Sequence, residues 1–297
     1  MPTERSAREV GEAAAHGSRA MQPFGADSAL YVTGLVCLGS HLIGVLMFKR
    51  ILPDGAWRRH PQFLAHQMVA LPLMLVCTYI GCSAWFWPSP EDRVAASTVD
   101  GRVHGVTANG ELLARVVIGA QLFWDIPTTA LVPALYSQLM MGHHVGLTII
   151  AIVCSVTPWV HHYVPFFAGV IEVSAVPLVI VDIFHPTRYG DIAEGSAVLG
   201  AINMACRVLF ALLFLLFRGL YFPYVICFVL RDMVAVMTQG TEIVAPMITV
   251  ACGVSMTLLQ FFWGALIVKQ LKKLLAPPPD SDEPRYAQHQ EEVKVLI

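Results

Sequence analysis

Two histidines and a carboxylate stand out in a chain that is otherwise mostly apolar. His143 and His144 are adjacent and lead into a long apolar stretch, and Glu172 and Ser174 lie in the next one. Ionisable groups at membrane depth are costly and usually face a protein interior or a water-filled cavity. A carboxylate can hold an imidazole in one tautomer while the other ring nitrogen accepts a proton. His143 and His144 are therefore candidate general bases, with Glu172 as the group that orients them.

Structural roles for the polar residues are the alternative. A histidine pair beside a helix end often does no more than pack at the membrane interface, and we expect this of His161-His162, which lie in a short turn. Arg207 could form a buried salt bridge with Asp125 or Glu172 that fixes helix register. Adjacent histidines point about 100° apart on a helix and do not chelate one ion together. No metal site is predicted.

Composition places these residues in a membrane protein. Of the 297 residues, 56% are hydrophobic and only 13% are charged, whereas a soluble domain has about 25% charged residues. The net charge of -2 provides no basic surface for nucleic acid. The seven cysteines lie in or beside apolar stretches and lack zinc-site spacing, so we interpret them as small apolar residues. The fold class expected is all-α and polytopic.

About seven membrane helices are predicted, because a hydrocarbon core of about 30 Å needs about 20 helical residues. The third stretch is expected to end before a break at Gly142-His143-His144. The sixth is too long for any bilayer as one helix, so we expect a kink near Arg218-Gly219 or a helix that continues beyond the headgroups. The predicted stretches are 29–48, 63–87, 112–140, 145–160, 166–184, 196–236 and 243–271.

Charge near the helix ends predicts the orientation. With seven spans, most Lys and Arg residues fall on the side of the C-terminus, so we expect a lumenal N-terminus and a cytosolic C-terminus. Residues 1–27 are polar and Ala-rich, and residues 274–297 are Pro-rich and charged, so both are predicted to be mobile tails. Residues 28–59 are assigned to a first transmembrane helix and its loop.

The order of the polar residues resembles the TLC-domain family, the membrane domain shared by ceramide synthases and several smaller lipid-related proteins. The resemblance covers roughly residues 60–273 and implies that six helices form a ring around a central cavity. The matching parts, in order, are Trp124-Asp125, His143-His144, Thr148, Glu172-Val173-Ser174, Pro177, Asn203, Arg207, Arg218, Gln260 to Trp263 and the trailing lysines.

In ceramide synthases, histidines and acids form a base that transfers an acyl group from acyl-CoA to a sphingoid amine. By resemblance, His143, His144 and Glu172 would be catalytic. Five further residues would contact substrate: Asp125, Thr148, Ser174, Asp182 and Arg207. Ile171 and Ala175 stand where that motif has a histidine and a second acid. The pattern is more similar to the shorter branch of the family, which is implicated in membrane lipid composition.

Two functions follow as hypotheses, and both involve a lipid. The first is a protein that binds lipids and regulates membrane lipid composition without established catalysis, as a homo-oligomer or a subunit of a membrane assembly. The second is an acyltransferase with acyl-CoA as co-substrate. A channel or transporter is a weaker third class, since matched broken helices are not evident. No covalently bound cofactor is expected. Family resemblance predicts the endoplasmic reticulum, with a mitochondrial membrane as the alternative.

Overall fold

The computed structural model of the chain describes residues 28–184, 195–240 and 242–275. Within these ranges the regular structure is entirely helical, which confirms the all-α fold class. The predicted N-terminal tail, residues 1–27, lies outside the described residues. So does the predicted C-terminal tail except its first two residues, which continue the last helix to Leu275.

Eight long helices carry the fold in the described ranges. They are α1 (Ser28–Ile51), α2 (Pro61–Phe86), α3 (Ala108–Ala120), α4 (Gln138–Val156), α5 (Ala175–Ile183), α6 (Ala197–Leu213), α7 (Phe222–Gln239) and α8 (Val244–Leu275). Short α-helices cover Ala56–Arg59, Pro90–Ala95, Val99–Val103, Ile126–Leu131 and Val164–Phe167. Two π-helices, Gln121–Asp125 and Phe214–Tyr221, and a 3₁₀-helix, Val170–Val173, complete the regular structure of the described ranges.

Helix length and composition confirm a multi-pass membrane protein. Among the described residues, five helices are long and apolar enough to span a membrane, and a sixth results if Val164–Val173 and Ala175–Ile183 count as one span bent by 44°. The expected count of seven also requires residues 108–131, which are helical but broken by a π-helix. Large apolar side chains such as Leu35, Tyr79 and Leu212 point outward, as lipid-facing residues do.

The long helices close into a ring. α2 packs against α3, α3 against α4, α4 against α8, and α8 against α7 and its π-helix. α6 packs against α5, and α5 packs against α2, which closes the circle. α1 lies outside the ring, against α2 and α3. Helices that are distant in the chain are therefore neighbours around one interior.

Three glycines lie at close contacts between segments of the fold: Gly81, Gly119 and Gly169. A Cβ added to Gly81 of α2 would lie 2.4 Å from Gly169 Cα, and one added to Gly119 of α3 would lie 2.2 Å from Leu30 O of α1. Small residues let helix backbones approach in this way within membranes. The Gly81–Gly169 contact joins α2 to the segment that carries Glu172.

One predicted boundary is wrong. The expected break at Gly142-His143-His144 lies instead at residues 132–137, so both histidines are inside α4. Pro133 cannot donate a backbone hydrogen bond, and Ser137 caps the new helix by accepting from the Met140 N–H at 3.5 Å. The histidines therefore point from a regular helix, in different directions.

The long sixth stretch is helical throughout. The π-helix Phe214–Tyr221, which contains Arg218-Gly219, joins α6 to α7, and Ala197–Gln239 runs for 43 residues. At 1.5 Å per residue this is about 64 Å, twice the hydrocarbon core. Continuation of this helix beyond the headgroups stays a prediction. In the second half of the helix, Asp232 of α7 meets Arg102 of the loop helix Val99–Val103.

The turn between α4 and the next helix is more buried than expected. His161 is fully buried, and its Nε2 lies 2.6 Å from the Cys154 carbonyl oxygen near the end of α4. This contact satisfies a carbonyl that the helix end leaves free. Burial lowers the pKa of His161. Packing of the His161-His162 turn at the membrane interface stays a prediction, to which the structure adds that the His161 side chain is buried within the protein.

Candidate functional site

Asp125 lies at the centre of a buried polar cluster. Its Oδ1 is 2.9 Å from His66 Nε2 of α2, and its Oδ2 is 2.7 Å from His144 Nδ1 of α4. The Thr129 hydroxyl donates to Oδ1 at 3.3 Å. Trp124 stacks on the His66 ring with centroids 4.6 Å apart. One carboxylate therefore bridges imidazoles from two other elements of the ring.

The π-helix Gln121–Asp125 places two acceptors on the same imidazole nitrogen. Gln121 Oε1 lies 2.8 Å from His144 Nδ1, which also meets Asp125 Oδ2. Because a carboxylate only accepts, Nδ1 carries the hydrogen and donates it. In the neutral ring this leaves His144 Nε2 able to accept a proton. Single π-turns inside α-helices are frequent at functional sites.

Glu172 does not orient His144 in this structure. Glu172 Oε2 lies 3.2 Å from Arg218 Nη2, and Arg218 Nε donates to Ser174 Oγ at 2.9 Å. The Ser174 hydroxyl in turn donates to the Ile171 carbonyl at 2.8 Å. Sequence reasoning joined Glu172 to the histidines, whereas the structure joins it to Arg218 of the π-helix between α6 and α7.

The two central histidines and Thr148 face different partners. His143 Nδ1 lies 3.1 Å from Met256 Sδ, and its ring meets the edge of Trp263 at 5.5 Å between centroids. The Thr148 hydroxyl donates to the His144 carbonyl at 2.8 Å. The Thr148 hydroxyl is therefore hydrogen-bonded within its own helix. His143 faces α8 rather than Asp125.

Arg207 and Asp182 form a separate polar group between α5 and α6. Arg207 Nε donates to Asn203 Oδ1 at 3.1 Å, and Asp182 interacts with Arg207 electrostatically. The expected salt bridge from Arg207 to Asp125 or Glu172 is therefore wrong. Among the described residues, no cluster of three or more His, Cys, Asp or Glu side chains could hold a metal ion.

A small apolar hollow lies inside the ring, next to His143, whose ring contacts the His144 ring of the Asp125 cluster. Its volume is about 110 Å³, and α3, α4, α7 and α8 contribute to its wall together with residues 160–171. The polar side chains in the wall are His143, Tyr163, Thr249 and Gln260. Tyr163 donates to Asp232, and Thr249 accepts from Trp159 and donates to its own helix.

Gln260 is the exception among these polar side chains. It is fully buried, and within the described part of the chain neither its amide nitrogen nor its amide oxygen has a hydrogen-bond partner. Buried polar side chains in native proteins nearly always have a partner. Gln260 therefore presents a donor and an acceptor to an apolar hollow.

Sequence reasoning gave no role in the site to four residues that the structure places in or beside it: His66, Gln121, Arg218 and Gln260. Each is a polar residue within a long apolar stretch, which is a signal that sequence alone offers. Their partners come from other helices, however, so the signal shows that a residue matters without showing what it contacts.

Comparison with known proteins identifies the family of the chain. A family model described as the TLC domain (TRAM, LAG1 and CLN8) matches residues 63–269. No curated protein and no solved structure matches the chain. The match spans more than half of the 297 residues and contains the whole polar cluster and Gln260. The chain therefore belongs to the TLC-domain family, as a multi-pass membrane protein linked to lipid handling.

Proposed function

We propose that this TLC-domain protein binds a membrane lipid inside its helical ring and thereby influences membrane lipid composition without itself catalysing a reaction. The observation that carries the proposal is Gln260. A buried amide left unpaired costs about 1–3 kcal/mol, and this one faces a hollow with an apolar wall. A lipid group that both donates and accepts hydrogen bonds, such as a hydroxyl or an amide, fits it.

The size of the hollow favours binding over chemistry on a long acyl chain. An engineered cavity of about 150 Å³ in another protein accommodates benzene. At about 110 Å³, the hollow takes a short apolar segment next to its polar group, not a whole lipid. This supports a protein that senses or holds part of a lipid, as the shorter branch of the family is expected to do, alone or in a membrane assembly.

Gln260→Leu tests this function. Because the amide loses no protein partner, the lipid-free protein should gain about 1–3 kcal/mol of unfolding free energy. Lipid that copurifies with the protein should decrease at the same time. Thermal unfolding after delipidation and mass spectrometry of extracted lipids measure the two effects. Gln239→Leu, at an exposed position on α7, is the matched control. Lower stability with unchanged lipid content would contradict the proposal.

Acyl transfer is the second candidate, and the Asp125–His144 pair favours it. His144 Nε2 would remove a proton from a lipid amine or hydroxyl as that group attacks the thioester carbonyl of acyl-CoA. The acyl group would then be joined to the lipid, and the departing CoA thiolate would take the proton back from the imidazolium. Arg58, Arg59 and Lys272, on the side predicted to be cytosolic, would meet the CoA phosphates.

Asp125→Asn and His144→Ala test the second candidate. Each should lower acyl transfer from labelled acyl-CoA by about 100-fold or more, since general-base catalysis contributes at least that much. Thr238→Val is the control, because the exposed Thr238 hydroxyl bonds to the Ala235 carbonyl of its own helix and its loss should leave turnover nearly unchanged. If wild-type protein shows no turnover, or if both variants keep it, this candidate fails and the binding function is unaffected.

A further inference from the structure

A second concave surface lies on the outside of the ring. It is a groove of about 790 Å³ between the π-helix Phe214–Tyr221 and α8. Its lining is apolar along most of its length, and Lys269 and Lys272 stand at one end. Leu220 and Phe261 in this lining are 71% and 51% exposed. The groove therefore opens away from the ring interior, toward the surrounding bilayer.

Two glycines create the depth of the groove. A Cβ on Gly219 would come no closer than 3.9 Å to any atom outside its own helical turn, and one on Gly264 no closer than 3.8 Å. These are ordinary van der Waals distances, so both positions would accept a Cβ without a clash. Because neither glycine has a side chain, the groove has room for part of a bound molecule at these two positions.

The dimensions of the groove match one leaflet of a bilayer. From Gln260 to Lys272, α8 rises by about 18 Å at 1.5 Å per residue, and half of a hydrocarbon core is about 15 Å. The lysines are in the last turns of α8, where a headgroup would lie. An ammonium group near a membrane surface attracts anionic lipid. An apolar groove with two positive charges at its end complements an anionic phospholipid, which has apolar chains attached to a negatively charged headgroup.

We propose that this groove binds one anionic glycerophospholipid of the surrounding bilayer, with an acyl chain against Gly219 and Gly264 and its phosphate between Lys269 and Lys272. This site is separate from the proposed lipid in the ring interior, although among the described residues Gln260 lines both spaces. Gly264, Lys269 and Lys272 line the groove and not the inner hollow, so substitutions at these three positions test the groove by itself.

The experiment reconstitutes the whole chain in nanodiscs that contain equal amounts of phosphatidylglycerol and phosphatidylcholine. Native mass spectrometry then counts the phospholipid that stays bound. Wild-type protein should retain more phosphatidylglycerol than phosphatidylcholine. Gly264→Leu fills the groove and should lose most of that lipid. Lys269→Gln with Lys272→Gln should keep bound phospholipid but reduce the preference for phosphatidylglycerol roughly tenfold.

Two controls separate the groove from general effects. Gly39→Leu places the same side chain on α1, where a Cβ meets nothing within 4 Å, and Lys49→Gln with Arg50→Gln removes two charges from the end of α1. Both should behave as wild type. Equal retention in Gly264→Leu and wild type, or an unchanged preference in the double lysine variant, would overturn the proposal. Either result leaves the Gln260→Leu test of the inner lipid valid.

Discussion

Asp232→Ala is expected to lower the free energy of unfolding by about 3–5 kcal/mol, because it removes one partner of a buried ion pair. Asp232 is fully buried on α7. Arg102 binds it through Nε at 2.6 Å and Nη2 at 2.7 Å, and the Tyr163 hydroxyl donates to it at 2.6 Å. Without the carboxylate, the Arg102 guanidinium would remain largely buried without its anion.

The effect should begin at the loop over this end of the ring. Arg102 ties the helix Val99–Val103 to α7, so Asp232→Ala should also make residues 88–107 more sensitive to limited proteolysis. Thermal unfolding in detergent gives the global effect. Arg231→Gln is the control: Arg231 lies 3.6 Å from the same carboxylate, but its side chain is 61% exposed, so its loss should cost less than about 1 kcal/mol. Equal effects of the two variants would contradict this account.

The group formed by Arg102, Tyr163 and Asp232 should persist from neutral pH up to about pH 10. The hydrogen bond from Arg102 to Asp232 raises the pKa of Arg102. Burial and the neighbouring Asp232 carboxylate raise the pKa of Tyr163 above its ordinary value of 10.0. A raised pKa in the folded state adds stability that is complete below the unfolded pKa and declines above it. The contribution of Tyr163 is therefore complete below about pH 10 and decreases at higher pH.

Gly81→Leu is expected to cost about 3 kcal/mol or more, at the upper end for an overpacked core. A Cβ on Gly81 would lie 2.4 Å from Gly169 Cα and 2.5 Å from Pro165 O. Both neighbours are backbone atoms, so no side chain can rotate away. α2 and the segment with Glu172 would have to separate, and the ring would open at that contact.

The yield of monodisperse protein and its thermal unfolding midpoint measure this effect. Gly39→Leu is the matched control, since it makes the same substitution in a membrane helix at a position where a Cβ meets nothing within 4 Å. We expect Gly39→Leu to remain close to wild type. If Gly81→Leu were equally stable, the contact between α2 and Gly169 would not be essential to the ring.

The sequence determined the class of the protein and part of the inventory of its candidate site. Long apolar stretches with few charges require membrane helices, because a backbone in lipid must satisfy its hydrogen bonds internally. The same rarity of charge indicated Asp125, His144 and Glu172 as candidate site residues. The apolar pattern did not give every helix boundary. It predicted a break at the histidines, whereas the break includes Pro133 and ends at Ser137, the N-cap of α4.

Only the tertiary structure decided which of these groups meet. The ring places α2 and α4 on either side of α3, so His66 and His144 both reach Asp125, while Glu172 faces Arg218 across the ring. A π-helix also sets the direction of Asp125, and no apolar pattern records such a change of register. Pairing among buried polar groups depends on distances of about 3 Å between separate helices, which follow from how the helices pack and not from their order in the chain.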